Sequence, residues 1–149
     1  MNLAETILGL QGKVPWGVRL GHGSFLTLEF GKKALLKEAN GIAHGEWQLW
    51  LYMCNWRIEF ADKILAGSAD SRKEIQKALD ATTFDKITEI QLASPSLDLV
   101  IQFGTSLRIL TFSSSSGEAD QWWLFTPDGN CLRVHGGGKY VYGSKDEPR

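Results

Sequence analysis

The sequence predicts one strand-rich α+β domain, built from two tandem helix-plus-antiparallel-meander repeats with a pseudo-twofold relation. Three observations predict it. A chain of 149 residues, with 43% hydrophobic and 22% charged side chains, has the size and composition of a single globular domain. Short runs rich in branched and aromatic residues alternate with turn residues, which is typical of strands. Stretches from the two halves of the chain also match each other, which indicates an internal duplication.

The duplication is carried by similar segments at corresponding positions. "LTLEFG" at 26–31 matches "LVIQFG" at 99–104, and "WLY" at 50–52 matches "WLF" at 123–125 at the same offset, which pairs Trp50 with Trp123. Residues 57–70 match 133–146 at a slightly larger offset. The offset changes at "TPDGN", a Pro-Asp-Gly turn that the first copy makes with fewer residues. A spacing that shifts once, and at a turn, favours duplication over coincidence.

The two repeats form a single expected domain over residues 1–146. The first repeat covers about 1–70 and the second about 71–146, and residues 147–149 are expected to be a frayed tail. Each repeat continues from a helix into a meander of strands and a Trp-rich strand, and it ends in a hairpin. The other expected strands are 14–20, 24–30, 33–37, 56–60 and 63–66 in the first repeat, and 86–92, 97–103, 105–112, 131–135 and 139–142 in the second.

Both helices are predicted from capping residues and from the spacing of the apolar residues. In the first repeat, Asn2 caps a helix whose apolar face includes Leu3 and Ile7. In the second repeat, Ser71 and Glu74 form a capping-box pattern ahead of an apolar stripe. Two helices that cover one face of a sheet give the α+β class.

The stretch "GEWQLWLYMCNW" at 45–56 holds three tryptophans, which are either core or a binding surface. Alternate residues of a strand point to opposite faces, so Trp47 lies on a different face from the aromatic residues that recur in the second repeat. Residues kept in both repeats are most simply explained by shared packing. Those predicted as core are Trp50, Tyr52, Trp122, Trp123 and Phe125. Trp47, whose counterpart is Asp120, is expected to be partly exposed.

A candidate site is predicted where the two repeats differ. The segments around His22 and around His44 and Glu46 correspond in the second repeat to serines and a proline. Successive turns of a meander alternate between its ends, so the turn after the first strand and the turn after the third share one end. The predicted rim holds His22, His44, Glu46 and Trp47, and Asn40 is a further candidate. The two imidazoles are expected to lie within about 10–12 Å of each other.

Several chemistries fit such a rim. Two histidines and a carboxylate are a known ligand set for zinc or ferrous iron, and a histidine beside a carboxylate can act as a general base. The sequence has no two-histidine zinc-protease motif, nucleophile elbow or Gly-rich phosphate loop. The expected function is therefore a non-enzymatic protein-interaction module, without catalytic residues or cofactor. The alternative is a small-ligand-binding or metal-dependent enzyme that uses His22, His44 and Glu46.

Charge and composition exclude other classes of protein. The net charge is −1 and the basic residues are scattered, so the basic patch of a nucleic-acid-binding protein is missing. No apolar run approaches a membrane span, and the first residues lack the pattern of a signal peptide. Cys54 and Cys131 have no metal-binding spacing and suit reduced thiols, although a disulfide between them is also open. We expect a cytoplasmic protein whose partner is another protein or a second copy.

The motifs "GHGSFLTLEFG", "HGEWQLWLY", "ILAGSADSR" and "LFTPDGN" occur in this order along the chain. In this arrangement the chain resembles a group of small uncharacterised bacterial proteins, over about residues 16–134. The resemblance assigns no activity. Some small bacterial proteins of similar size and composition are immunity proteins against toxins, and this analogy of type implies a bacterial interaction protein.

Overall fold

The computed structural model describes residues 2–33 and 43–146. Strand accounts for 48% of the structure and helix for 14%, which confirms the strand-rich α+β class in a single domain. The elements in chain order are α1 (Leu3–Leu8), β1 (Gly17–Leu20), β2 (Leu26–Lys33), β3 (Gly45–Leu51), β4 (Asn55–Phe60), β5 (Lys63–Gly67), α2 (Arg72–Ala81), β6 (Ile87–Leu92), β7 (Leu99–Phe103), β8 (Leu107–Phe112), β9 (Asp120–Phe125), β10 (Asn130–His135) and β11 (Lys139–Ser144).

The strands form two antiparallel sheets whose inner faces share one core. The six-stranded sheet has the order β1-β2-β3-β9-β10-β11, and the five-stranded sheet has the order β5-β4-β8-β7-β6. Apolar residues at alternate positions of these strands point inward, so a continuous hydrophobic cluster forms between the sheets. Its largest fully buried side chains include Trp122, Phe30 and Phe103. The outward-pointing residues of each sheet are therefore separate from the core.

The helices begin where the capping residues predicted. Asn2 Oδ1 accepts a hydrogen bond from the Glu5 amide at 3.2 Å, and Ser71 Oγ accepts one from the Glu74 amide at 3.2 Å. Each helix also buries an apolar residue in the core, Ile7 in α1 and Ile75 in α2. The helices thus add to the same core as the strands.

The two sheets are built on one pattern. β1-β2-β3 form a meander that continues into β9 and β10, and β6-β7-β8 form a meander that continues into β4 and β5. Each half of the chain therefore supplies the meander of one sheet and the last strands of the other. The helices cross over in the same way, because α1 precedes β1 and packs against β6, whereas α2 precedes β6 and packs against β1.

This order corrects the strand correspondence predicted from the sequence. By position in the sheets, β3 corresponds to β8 and β9 corresponds to β4, whereas the sequence offsets matched Trp50 of β3 with Trp123 of β9. Trp50 and Trp123 are instead direct cross-strand partners. Beyond Lys33, the strand predicted over 33–37 falls outside the described residues, and β2 pairs directly with β3. The duplication itself stays a prediction.

Replacement of Trp122 by alanine should lower the free energy of unfolding by about 3–5 kcal/mol, because it leaves a large cavity in the core. The side chain is 1% exposed, and its Nε1 donates a hydrogen bond to the Leu97 carbonyl at 2.9 Å. Phe112→Ala is the control, since Phe112 is 62% exposed on β8 and should cost less than about 1 kcal/mol. Urea unfolding measures both values. Equal losses in the two variants would contradict the core assignment.

Candidate functional site

The structure places His22 and His44 at opposite ends of the six-stranded sheet. His22 lies in the turn that leads into β2 at Leu26, whereas His44 precedes Gly45, which pairs with Lys33 at the far end of β2. β2 has eight residues, so the two loops are roughly 20 Å or more apart. The predicted rim is therefore wrong. The sequence analysis expected two strands between these loops, and this count placed both loops at the same end of the sheet. In the structure β2 alone lies between them, so they are at opposite ends.

His22 belongs to a surface turn that α2 holds in place. Its ring meets the Phe25 ring edge-on, with the centroids 6.2 Å apart. Arg72, the first residue of α2, donates to the Gly21 carbonyl at 2.6 Å and also to the Gly23 carbonyl. These contacts stabilise the turn, and none of them involves another histidine.

His44 is part of a buried charge network that the sequence analysis missed. Its Nδ1 lies 2.7 Å from Glu29 Oε1, and Arg19 binds the same oxygen at 2.9 Å. The other oxygen, Oε2, accepts a hydrogen bond from the Gly45 amide at 2.8 Å. An ionised carboxylate only accepts hydrogen bonds, so we assign the His44 proton to Nδ1. Glu29 is fully buried, yet it occupies an outward position on its strand, where a glutamate normally meets solvent.

Glu46 and Trp47 follow His44 but point to opposite faces of β3. Glu46 accepts a hydrogen bond from the Lys32 amide at 3.2 Å and joins neither histidine in the described bonds. Trp47 is partly buried and packs against the core. Its ring also lies against Gly9, just after α1, so closely that a side chain at that position would collide with it. The expectation of Trp47 at the edge of a binding concavity is therefore wrong. Asn40 lies outside the described residues.

Five aromatic side chains form a layer on the outer face of the six-stranded sheet. We call this the aromatic layer, and its members are Phe25, Trp50, Tyr52, Trp123 and Phe125. The Trp50 and Trp123 rings are nearly parallel with centroids 6.3 Å apart, and the Phe125 centroid lies 4.6 Å from that of Trp50. Of the five residues predicted as core, Trp122 belongs to the cluster between the sheets and the other four lie in this layer. The predicted burial is confirmed for Trp122 and Trp123, which are 1% and 5% exposed, whereas Trp50, Tyr52 and Phe125 are half-buried.

The aromatic layer has a matched counterpart of opposite chemistry on the five-stranded sheet. When the two sheets are aligned by their cross-strand registers, Trp123 of the layer corresponds to Arg57, and Phe125 corresponds to Glu59. Arg57 and Arg108 each bind Glu59 at 2.5 Å, and the hydrogen bond from Arg57 is the main reason that the pKa of Glu59 lies below its usual range. Charged groups are the expected content of an outer sheet face. The aromatic face is therefore the one that needs explaining.

Polar groups surround the aromatic layer at its His44 end. A groove of about 310 Å³ opens there, and its described lining includes three lysines and one carboxylate. This lining includes Lys32, Lys33, Glu46, Gln48, Phe125 and Lys145. Among the described residues, Gln48 Oε1 and Trp50 Nε1 are buried without a hydrogen-bond partner. An aromatic centre and a polar rim are features of a binding surface.

A second cleft lies at the β9–β10 end of the same sheet. It measures about 790 Å³, and its lining includes Glu118, Asp120, His135, Lys139 and Tyr140. His135 Nδ1 lies 3.1 Å from Asp120 Oδ1, across a bulge in the β9–β10 pairing. Sequence reasoning missed this pair because only the β9–β10 pairing brings the two residues together.

The two cysteines are buried thiols, and the disulfide left open by the sequence is not formed. Burial raises the pKa of the Cys54 thiol to about 12. A thiolate is the reactive form of cysteine, so burial makes Cys54 a packing residue and not a nucleophile.

Comparisons with family models, with curated proteins and with solved structures give no match to this chain. Within residues 2–33 and 43–146, no three His, Cys, Asp or Glu side chains are grouped as a metal site. Neither described helix has the length and apolar composition of a membrane span. The function must therefore be argued from the geometry of the aromatic layer and its surroundings.

Substitution of Glu29 by glutamine should destabilise the protein by about 3 kcal/mol, because a neutral amide replaces the buried carboxylate that Arg19, His44 and the Gly45 amide share. Glu89→Gln on β6 is the control, since this exposed glutamate should change stability by no more than about 0.5 kcal/mol. Urea unfolding at neutral pH gives both values. A loss at Glu29 as small as that at Glu89 would show that the network contributes little.

Thiol reactivity provides a separate check on burial. We expect Cys54 and Cys131 to resist modification by a thiol-specific reagent at pH 8 in the folded protein, and to react fully after unfolding in urea. Mass spectrometry identifies the modified cysteine. Rapid labelling of either thiol in the folded state would contradict the buried positions.

Proposed function

We propose that this protein is a non-enzymatic protein-interaction module that binds its partner through the aromatic layer and the adjoining groove. The observation that carries the proposal is the contrast between the two sheets. At the outward positions of Trp123 and Phe125, the five-stranded sheet holds Arg57 and Glu59, which belong to an ionic cluster. The positions of Trp50 and Tyr52 are apolar in both sheets, so the contrast is between β9 and β4. Trp123 is buried and the other four rings are half-buried, and the exposed part of these four rings supplies apolar area for a partner.

The polar groups around the layer indicate how a partner is held in register. The described lining of the groove has an excess of lysines over carboxylates, which favours an acidic segment in the partner. The partner that fits best is therefore a protein with an apolar contact surrounded by acidic side chains.

The same proposal extends to the biological role of the protein. A small domain that covers a partner's surface suits an immunity-like protein of the bacterial cytoplasm, as the sequence resemblance implies. The metal-dependent alternative loses its basis, because His22 lies at the opposite end of β2 from His44 and Glu46. What supports binding over catalysis is that the unusual feature of the surface is aromatic area and not a cluster of reactive groups.

We also propose that the two halves of the chain are copies. The support is the shared strand pattern, in which each half begins with a capped helix and a three-stranded meander. In this correspondence Trp50 matches Leu110, and Glu29 matches Gln102. The residues that differ most are then the outer-face residues around the aromatic layer, where the binding surface is proposed.

Site-specific photocrosslinking tests the proposed surface. A benzophenone amino acid replaces Phe125 in the aromatic layer, and the matched control carries it at Glu59 on the five-stranded sheet. After irradiation in cells of the source organism, position 125 should give one defined protein adduct and position 59 should give none. No adduct at either position, or the same adducts at both, would contradict the proposal.

Once crosslinking has identified the partner, the affinity of the purified partner for variants of this protein measures the contribution of individual residues. We expect Phe125→Ala to weaken binding by more than about tenfold, as for a buried aromatic contact at an interface. Lys145→Glu should weaken binding of an acidic partner, whereas Lys63→Glu on β5 should not. Thermal unfolding confirms that each variant is folded. Unchanged affinity in both layer and groove variants would overturn the proposal.

A further inference from the structure

A bulge near the start of β9 turns the Asp120 side chain to the outer face of the six-stranded sheet. Trp122 pairs with Val134, and both point into the core. The next residue of β10, His135, pairs with Asp120, so β9 advances by two residues where β10 advances by one. Strict alternation would point Asp120 inward with Trp122, whereas the bulge places it beside the outward His135. The contact of 3.1 Å between Asp120 Oδ1 and His135 Nδ1 therefore depends on the bulge.

The turn that follows His135 is packed against two other loops of the chain. It consists of three glycines and connects β10 to β11. A Cβ at Gly136 would collide with the carbonyl oxygen of Gly117, and one at Gly138 would collide with that of Pro95. Glycine permits this close approach of one backbone to another. The wall of the cleft around His135 is therefore held in one arrangement.

Asp120 leaves one ring nitrogen of His135 available to a ligand. Nδ1 is buried, whereas the side chain as a whole is 20% exposed and lines the cleft. A carboxylate beside Nδ1 favours the proton on that nitrogen, so Nε2 of the neutral ring carries a lone pair. None of the described hydrogen bonds and ion pairs involves Nε2. Nε2 can therefore accept a hydrogen bond from a molecule in the cleft.

The cleft surrounds this acceptor with charges of both signs. Asp120 and Glu118 contribute two carboxylates to its lining. Lys139 also lines it, directly opposite His135 in the β10–β11 pairing and on the same outer face. The two carboxylates would repel a simple anion, and Lys139 would repel a simple amine. A molecule that carries both an ammonium group and a carboxylate matches this set of charges.

We infer that the cleft binds a free amino acid with an apolar side chain. The ammonium group donates to His135 Nε2 and is attracted by Glu118, and the carboxylate pairs with Lys139. The apolar side chain packs on Tyr140 and Val141, which are 44% and 51% exposed in the lining. The cleft, of about 790 Å³, has room for such a molecule. It lies at the opposite end of β9 from the groove, so the inference does not depend on partner binding by the aromatic layer.

Binding of L-phenylalanine to the full chain, followed by nuclear magnetic resonance at pH 8, tests the inference. The amide signals of residues 135–141 should shift in a saturable way, with a dissociation constant of about 1 mM or below. Phenethylamine lacks the carboxylate and hydrocinnamate lacks the ammonium group, so each should bind at least about tenfold more weakly. No saturable shift up to about 20 mM phenylalanine, or equal affinities for the three probes, would overturn the inference.

Substitution of Lys139 separates the roles of the two charges of the ligand. Lys139 is exposed, so Lys139→Gln should leave the fold intact. The variant should bind phenylalanine at least about fivefold more weakly and phenethylamine more tightly, because both the attraction of the carboxylate and the repulsion of the amine are removed. Lys63→Gln on β5 is the matched control and should change neither affinity. A parallel change for both probes, or no change for either, would contradict the inference.

Asp120→Asn tests the positioning role of Asp120. In the free protein, nitrogen-15 signals of the His135 ring should show the proton on Nδ1, and in the variant they should move toward a mixture of both tautomers. Phenylalanine binding should weaken at least about tenfold, because Nε2 then carries the proton part of the time and the cleft loses one carboxylate. Glu89→Gln on β6 is the control, and thermal unfolding confirms that each variant is folded. A proton on Nε2 in the free protein, or unchanged affinity in Asp120→Asn, would overturn the inference.

Discussion

The register between β2 and β3 is the constraint on which the rest of the structure depends. It directs Leu49 and Leu51 into the core and Gln48 and Trp50 outward, beside Glu29 and Thr27. Because side chains alternate along a strand, a shift of one residue would bury the outward set and expose the leucines. Pairing of β3 with β9 then extends the same division, so that Trp122 enters the core while its neighbour Trp123 joins the aromatic layer. One register thus decides both the core and the candidate binding face.

Glu29 ties this register to the loop that follows it. A carboxylate without solvent is costly unless it is paired, and here Arg19, His44 and the Gly45 amide together offset that cost. The three partners come from β1, from the residue before β3 and from the start of β3. The network therefore holds the His44 end of the sheet in one arrangement and brings the His44 ring to 6.3 Å from that of Trp50. Buried charge in this position orders the edge of the aromatic layer.

Local sequence patterns predicted the helices and the class of fold well, because caps and strand alternation act over a few residues. The strands expected over 86–92, 97–103 and 105–112 are confirmed as β6, β7 and β8. Alternation also separated Trp50 from Leu49 correctly, but both faces of β3 are apolar, so the pattern gave no way to tell which face is core. The rim failed for a related reason: whether two loops share an end depends on the number of strands between them, and one extra strand reverses the answer. Burial of Glu29 could not be predicted either, since its position normally faces solvent.

The matched positions of the two sheets separate the requirements of the fold from those of the surface. Ion pairs among Arg57, Glu59 and Arg108 show that this strand arrangement is compatible with a charged outer face. The aromatic rings at the corresponding positions of the six-stranded sheet are therefore not required to form such a sheet. The half-buried rings of this outer face provide apolar surface, which favours association with another protein. Contact with another protein would use both this apolar surface and the lysines at the rim.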